Sequence, residues 1–388
     1  MSGLTALLAA HRVIVCVGSG GVGKTTTAAS LALWGALHGR RTAVVTIDPS
    51  KRLADCLGLS LSTVDETTLP PEAFARHGLT PSGTLTALLV DQQSAWDAAV
   101  TRYAPTPEIR ERIFANRFYR GLSQTFAGSH EYMALDTLAT LVQEGLYDLL
   151  ILDTPPVQQA LDFLEAPRRL QRFLDSRMSK WLMRPSLEQG WAALSFANRS
   201  TGLLLKKVEE ATGISALGEI AQFFSTMHGM FEDFGPRFDR VSALLSSEET
   251  AFVLVTSPEE EVLQEAEAFL ASLEKAAITL KGVVVNRVHG QHPESEFHAL
   301  DDKRLATTVH RMLRHSLQES ERQWMIENFT AYQNLARGEQ RRIQRFFSRV
   351  PSGLSAVRVP LLCESLADLG GLTALHSHLF PTEESRAP

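Results

Sequence analysis

The sequence predicts an α/β protein, a parallel sheet with helices on both faces and a large inserted helical subdomain. Two observations carry that expectation. Five short apolar, β-branched runs alternate along the chain with stretches of helical pattern, the signature of strands buried on both faces. Each run also ends in small or polar residues, at the edge where open α/β sheets present their ligand-binding loops. A chain of 388 residues is long enough to bury such a core as one elaborated domain.

The first strand is expected at Val13–Val17, and it empties into Gly18-Ser19-Gly20-Gly21-Val22-Gly23-Lys24-Thr25-Thr26. An alanine-rich helical stretch, Ala28 to Leu37, follows. The spacing Gly-x-x-x-x-Gly-Lys-Thr between a strand and a helix is the phosphate-binding loop, or P-loop, pattern. Its glycines let successive backbone N–H groups point at phosphate oxygens, and the helix start adds its unpaired N–H groups and positive dipole end. Lys24 is expected on the β- and γ-phosphates and the Thr25 hydroxyl on Mg²⁺. The same residues also fit Gly-x-Gly-x-x-Gly, a dinucleotide fingerprint, with Asp48 as the ribose-binding acid. Only the triphosphate–Mg²⁺ site requires the Lys24-Thr25 pair.

The second strand, Thr42–Ile47, delivers Asp48-Pro-Ser-Lys-Arg-Leu-Ala-Asp55. A carboxylate at the end of a strand beside a P-loop could orient or deprotonate a water near the γ-phosphate. Alone, an Asp-Pro pair serves equally well as a helix cap. Thr86 to Glu144 is helical in character. Leu149–Leu152 then carries Asp153-Thr154-Pro155-Pro156, a buried strand bringing an aspartate to the sheet edge. That is the Walker B arrangement, in which the carboxylate holds the Mg²⁺ shell.

Arg168 to Glu248 is a larger helical stretch, with an apolar stripe at Leu217, Ile220, Ala221, Phe224, Met227, Met230, Phe231 and Phe234. Core packing explains such a stripe, and a groove for a hydrophobic client helix is the functional alternative. Strands follow at Phe252–Thr256 and Gly282–Val285. Asn286 ends the latter, where its amide could meet a purine edge or simply make a turn. Asp301 to Arg349 is polar and helical, and its basic run Arg337 to Arg349 reads as a solvated helix face ahead of a binding surface. Val357–Val359 is a final short edge. We therefore expect one domain over 1–388. Its core comes from approximately 1–85, 126–167, 249–290 and 351–380, its helical subdomain from approximately 86–125, 168–248 and 291–350, with a disordered tail over 381–388.

Composition narrows the function. A net charge of −6 argues against broad nucleic-acid binding, which needs a basic face. The three cysteines, Cys16, Cys56 and Cys363, are far apart, so neither a disulfide framework nor a zinc site is expected, and a reducing cytoplasm is the simplest setting. Without a basic leader or a bilayer-length apolar run, no signal peptide or transmembrane segment is expected.

Taken together, several spaced motifs resemble the ArsA family. These are the P-loop, Asp48-Pro-x-x-x-Leu-x-Asp55, Asp153-Thr-x-Pro with Leu161-x-Phe163-Leu164-x-x-Pro167, Val-Val-Asn286 and Pro360-Leu361-Leu362. The segment Gly128-Ser-His-Glu-Tyr-Met-Ala134 also resembles a family segment. That family joins the arsenite-pump ATPase to the ATPase that targets tail-anchored membrane proteins, within the MinD- and ParA-like deviant P-loop ATPases. The resemblance implies ATP as substrate, Mg²⁺ as cofactor, and a nucleotide site over Gly18 to Thr26. Lys24 and Asp48 would be catalytic, with Thr25 and Asp153 at the metal. Asp48 to Asp55 would form one switch and Asp153, Thr154, Pro155 and Pro156 the other. Asn286, Pro360, Leu361 and Leu362 would hold adenine. It further implies a dimer, with itself or with a related ATPase chain, and a protein client reached through the helical subdomain.

Two departures accompany the likeness. The family's loop carries a lysine, reaching the partner's nucleotide, where this chain has Ser19; Lys51, Arg52 or a lysine-bearing partner could replace it, or the chain hydrolyses slowly by design. The grouped cysteines of the family's arsenite site and its C-x-x-C zinc clasp are absent from the sequence, so no zinc or arsenite site is expected. The leading expectation is an ATP-hydrolysing dimeric switch coupled to a protein partner. A low-turnover regulatory subunit of a heterodimer is the alternative, and a MinD- or ParA-like positioning ATPase, lacking a basic terminal helix or DNA face, the weakest.

Overall fold

A computed structural model describes residues 3–47, 52–59, 66–116, 119, 129–155, 234–276, 278–290, 318–362, 366 and 368–381. Its frame is one eight-stranded sheet. The chain runs through α1 (Gly3–Ala10), β1 (Val13–Val17), α2 (Lys24–Leu37), β2 (Arg41–Thr46), α3 (Arg52–Leu57), β3 (Thr67–Thr68), α4 (Pro71–Ala75) and β4 (Thr84–Leu89). It continues through α5 (Gln92–Tyr103), α6 (Pro107–Ala115), α7 (Ser129–Glu144), β5 (Leu149–Asp153), α8 (Phe234–Leu245) and β6 (Thr250–Thr256). The described residues end with α9 (Glu260–Lys275), β7 (Leu280–Val288), α10 (Glu319–Phe347), β8 (Ser355–Pro360) and α11 (Leu369–Leu379).

Across the sheet the order is β3-β4-β2-β5-β1-β6-β7-β8. Every pairing is parallel except that of the short edge strand β3 with β4. β1 lies between β5 and β6, and the chain leaves it first toward β2 and returns later on the other side at β6. Strand order reverses there, so the crevice for a ligand opens at the carboxyl end of β1.

Side chains alternate between two cores. Ile14, Cys16, Val44, Ile151, Val253 and Val255 face a cluster completed by α1, α2 and α11. Val13, Val15, Val17, Val45, Leu150, Leu152, Phe252 and Leu254 face another completed by α7, α8, α9 and α10. Helices thus cover both faces, which is why the central strands read as unbroken apolar runs. α2 comes unusually close to the sheet: a Cβ on Gly35 would stand 2.3 Å from the Thr42 hydroxyl and 2.8 Å from the Leu149 side chain.

The strands expected from sequence are present, Val13–Val17 with the same bounds and the others with ends displaced by no more than three residues, and two findings revise the reading. Thr86–Leu89 is not helical; it belongs to β4, which pairs along its whole length with β2. β7 does not stop at Asn286 but runs on to Val288 across a register irregularity against β8. α1 was also unanticipated. It buries Leu4, Leu7 and Leu8 beside β7 and β8.

Three arginines of the basic run at the end of α10 are engaged by other parts of the same chain. Arg342 Nε donates to the Pro258 carbonyl at 2.8 Å, and Arg345 and Arg349 pair with Glu260 and Glu267 of α9 at 3.4 and 2.6 Å. The buried Glu339 of the same helix receives the His289 backbone N–H and the ring Nδ1 at 2.9 and 2.7 Å, joining α10 to the end of β7. The apolar stripe from Leu217 to Phe231, most of the inserted helical stretch, the Gly128 end of its segment and the tail beyond Pro381 lie outside the described residues.

Candidate nucleotide site

β1 ends at Val17, and the loop that follows turns between the carboxyl ends of β5 and β6. Gly18 passes so close to β6 that a Cβ there would lie 1.9 Å from the Val255 carbonyl oxygen. Gly23 is left-handed, with φ 94°, and immediately precedes α2. A Cβ there would meet the Asn286 amide nitrogen at 2.4 Å. Both positions therefore require glycine, one for approach and one for approach and conformation.

Lys24 opens α2 and is only 8% exposed. Its Nζ donates to the Ser19 carbonyl at 2.8 Å, folding the side chain back over the mouth of the loop. Ser19 is 5% exposed, and its hydroxyl oxygen is buried without a hydrogen bond among the described residues. A residue so enclosed by its own chain is placed unlike a side chain that projects toward a neighbour. Thr25 and Thr26 are half-buried, and the Thr26 hydroxyl lies 3.9 Å from the Cys56 sulfur on α3.

The neighbouring strand β5 brings Asp153 and Thr154 to the same edge. Asp153, 1% exposed, accepts a hydrogen bond from the Thr46 hydroxyl of β2 at 3.1 Å. Thr154 donates from its hydroxyl to the Cys16 carbonyl at 2.7 Å. The Cys16 thiol between them is fully buried; burial above all, with the Asp153 carboxylate second, pushes its pKa up, while Lys24 pulls the other way. It stays a neutral packing group, as its place in an apolar strand implies.

On the other side, Asn286 reaches from β7 and donates its amide to the Val22 carbonyl at 2.9 Å. Its Oδ1 accepts the Arg287 backbone N–H at 3.0 Å. Arg287 has φ 60°, the one non-glycine residue in the left-handed region among the described residues. Such a conformation costs on the order of 1 kcal/mol or more for a side-chain-bearing residue and persists only where its surroundings impose it. The strand then meets the Pro360 loop: Leu361 N–H donates to the Val288 carbonyl at 3.0 Å. Leu361 is 48% exposed, with Pro360 and Leu362 half-buried beside it.

Of the residues singled out from sequence, Gly18 to Thr26, Asp153 and Thr154 converge on one edge, with Asn286 pinned to the loop from the side. Pro155 is half-buried and Asp55 and Arg52 are exposed on α3. Asp48, Lys51 and Pro156 lie outside the described residues. Arg287 was missed, since nothing in Val-Val-Asn-Arg-Val signals a left-handed backbone.

Comparison with known proteins decides the family. Residues 11–312 match the family described as anion-transporting ATPase, the ArsA ATPases. The chain belongs to that family. As a member it is an ATPase with a P-loop core. ATPase ASNA1 homolog 1 of Paramecium tetraurelia is 24% identical over 275 residues, covering 70% of this chain and 73% of that protein. ATPase GET3 of Malassezia globosa is 25% identical over 286 residues, covering 73% and 74%. Among the described residues no helix is long and apolar enough to cross a membrane.

Proposed function

We propose that this chain is a Mg²⁺-dependent ATP-hydrolysing switch that works as a dimer in the cytoplasm and couples its nucleotide state to a protein partner. The observation that carries this reading is the closure of Lys24 onto the Ser19 carbonyl beside the buried Asp153. A cation at the start of α2 and a carboxylate at the end of β5, both acting on Cys16, are the two charges a triphosphate–metal complex needs.

In this reading the backbone N–H groups of Gly18 to Thr26 cradle the phosphates, and Lys24 leaves the Ser19 carbonyl for the β- and γ-phosphates. The donor set fits a small hard cation: a hydroxyl at Thr25 and a carboxylate at Asp153, the latter through water. Thr25 and Asp153 would hold Mg²⁺, which would supply charge neutralisation on the terminal phosphates. Asp48 orients the attacking water. Thr154, tied to β1 through Cys16, and Pro155 after it lie where the loss of a γ-phosphate would be felt, and Asp55 and Pro156 bound the two switches. Asn286 keeps a second amide hydrogen for a purine edge, with Pro360, Leu361 and Leu362 closing the base from the β8 side.

A second reading is favoured by Ser19. Its burial and its in-chain contact with Lys24 mean that this position offers no cation to a neighbour. The chain would then be a slow-turnover regulatory subunit, paired with a related chain that brings the lysine.

Mg²⁺-dependent ATP turnover by the purified chain tests both, with Asp48→Asn as the blank. Turnover abolished in the variant supports the switch. Tight ATP binding with turnover no higher than the blank supports the regulatory subunit, and absence of ATP binding overturns both.

A further inference from the structure

Arg287 is strained where it need not be unless its side chain is wanted. It sits in a bulge, with Val285 aligned to Arg358 and Val288 to Pro360 on β8, so the partner strand has one residue fewer between. A bulge re-aims the side chain it displaces, and glycine is the residue that takes φ near 60° without cost. Here the position holds an arginine that is exposed and has no ion pair or side-chain hydrogen bond among the described residues. Its backbone is locked by the Asn286 side chain, which is itself locked to the P-loop at Val22.

Position along the sheet says which part of a nucleotide it faces. The γ-phosphate of that site would lie at the ends of β1 and β5, where Lys24 and Asp153 both act on Cys16. β7 is two strands from β1 and three from β5 in the order β5-β1-β6-β7, about 12 Å from the seam between them at the usual interstrand spacing. That is too far for a γ-phosphate contact from the strand end and about the distance from terminal phosphate to base. The apolar wall at Leu361, 48% exposed and hydrogen-bonded to Val288, stands on the same side.

We propose that Arg287 lays its guanidinium plane on the base of the bound nucleotide, opposite the Pro360–Leu362 loop. This rests on the nucleotide site proposed above and adds a base-binding residue to it. A planar, permanently charged group stacks on aromatic rings better than an ammonium does, and a left-handed backbone held by two hydrogen-bonded neighbours fixes where it leaves the strand.

The test is titration calorimetry of MgADP and of Mg-pyrophosphate against wild type and Arg287→Gly. Glycine accepts φ 60°, so the variant keeps the turn and folds, losing only the side chain. The expected result is ADP binding weakened roughly tenfold, the range of a stacked cation, with pyrophosphate binding unchanged. ADP binding equal to wild type would make Arg287 a mere turn residue and overturn the proposal. Equal weakening for both probes would place the guanidinium on phosphate and also overturn it. A wild type that binds neither probe would instead refute the nucleotide site itself, before Arg287 is in question.

Discussion

Thr154 donates its hydroxyl to the carbonyl oxygen of Cys16 at 2.7 Å, across the β5–β1 seam and one residue beyond the end of β5. Its own N–H points at the same oxygen at 3.3 Å. The strand that feeds the P-loop and the segment that follows Asp153 are therefore one hydrogen-bonded unit. Thr154 is 2% exposed, so Thr154→Val removes a buried hydrogen bond without leaving a large void. We expect a loss of about 1–2 kcal/mol in urea unfolding. An unchanged midpoint would show that the seam does not depend on the hydroxyl.

Gly23 tests the lateral clamp. Gly23→Ala forces a Cβ into the Asn286 amide and a left-handed backbone onto alanine. A destabilisation of about 1–3 kcal/mol is expected. Asn286→Ala combined with it should recover the part due to contact and leave the part due to φ. A double-mutant cycle by denaturant unfolding separates the two, and strict additivity would mean that the contact carries no energy.

His376 gives the protein a predictable acid response. It is partly buried on α11 against Phe380, whose ring is 4.7 Å away, and near the stacked pair Trp34 and His38 at 4.2 Å. Burial first, and His38 last, lower its pKa from 6.5 to about 4, against a smaller opposing effect from a Ser30 backbone hydrogen bond. The folded state then binds fewer protons than the unfolded state between those values. Stability is full above pH 6.5 and falls as pH drops toward 4, by on the order of 2 kcal/mol. His376→Gln should flatten that slope in urea unfolding at about pH 7 and about pH 4.5. An equal slope in the variant would assign it elsewhere.

The ion pairs that join the end of α10 and the residues just after it to α9 should matter little to stability. Arg345 and Arg349 are both more than half exposed, so solvent screening leaves each pair worth less than about 1 kcal/mol. Arg349→Ala should shift the thermal midpoint by no more than a few degrees. Arg342, whose Nε holds the Pro258 carbonyl, should cost more when truncated, and differential scanning calorimetry of the two variants ranks them.

How much was legible in sequence depended on whether the deciding interactions were local. β1, β5 and β6 are apolar on both sides because helices cover both faces, so each stands out as a run of β-branched and leucine residues. The P-loop is legible because its glycines answer local backbone demands. β4 was not. Thr84-Leu-Thr-Ala-Leu-Leu has no strong preference, and it becomes a strand because β2 offers it six partners in register. Asn286 was singled out by its place after a strand, but its bond to the Val22 carbonyl was not legible.

The sequence alone determined the strand–loop–helix of the P-loop, the aspartate at the end of β5, the parallel α/β class and the family likeness. Each rests on residue types within a short window, where hydrophobic period, glycine freedom and side-chain chemistry act without help from afar. Tertiary structure alone decided that Ser19 is enclosed and holds Lys24 through its carbonyl. It also decided that the basic run of α10 is clamped to α9, and that Asn286 locks the loop from 264 residues away. The left-handed turn at Arg287 belongs with these. Its conformation is imposed by β8, Asn286 and the P-loop together, and no local preference of arginine would choose it.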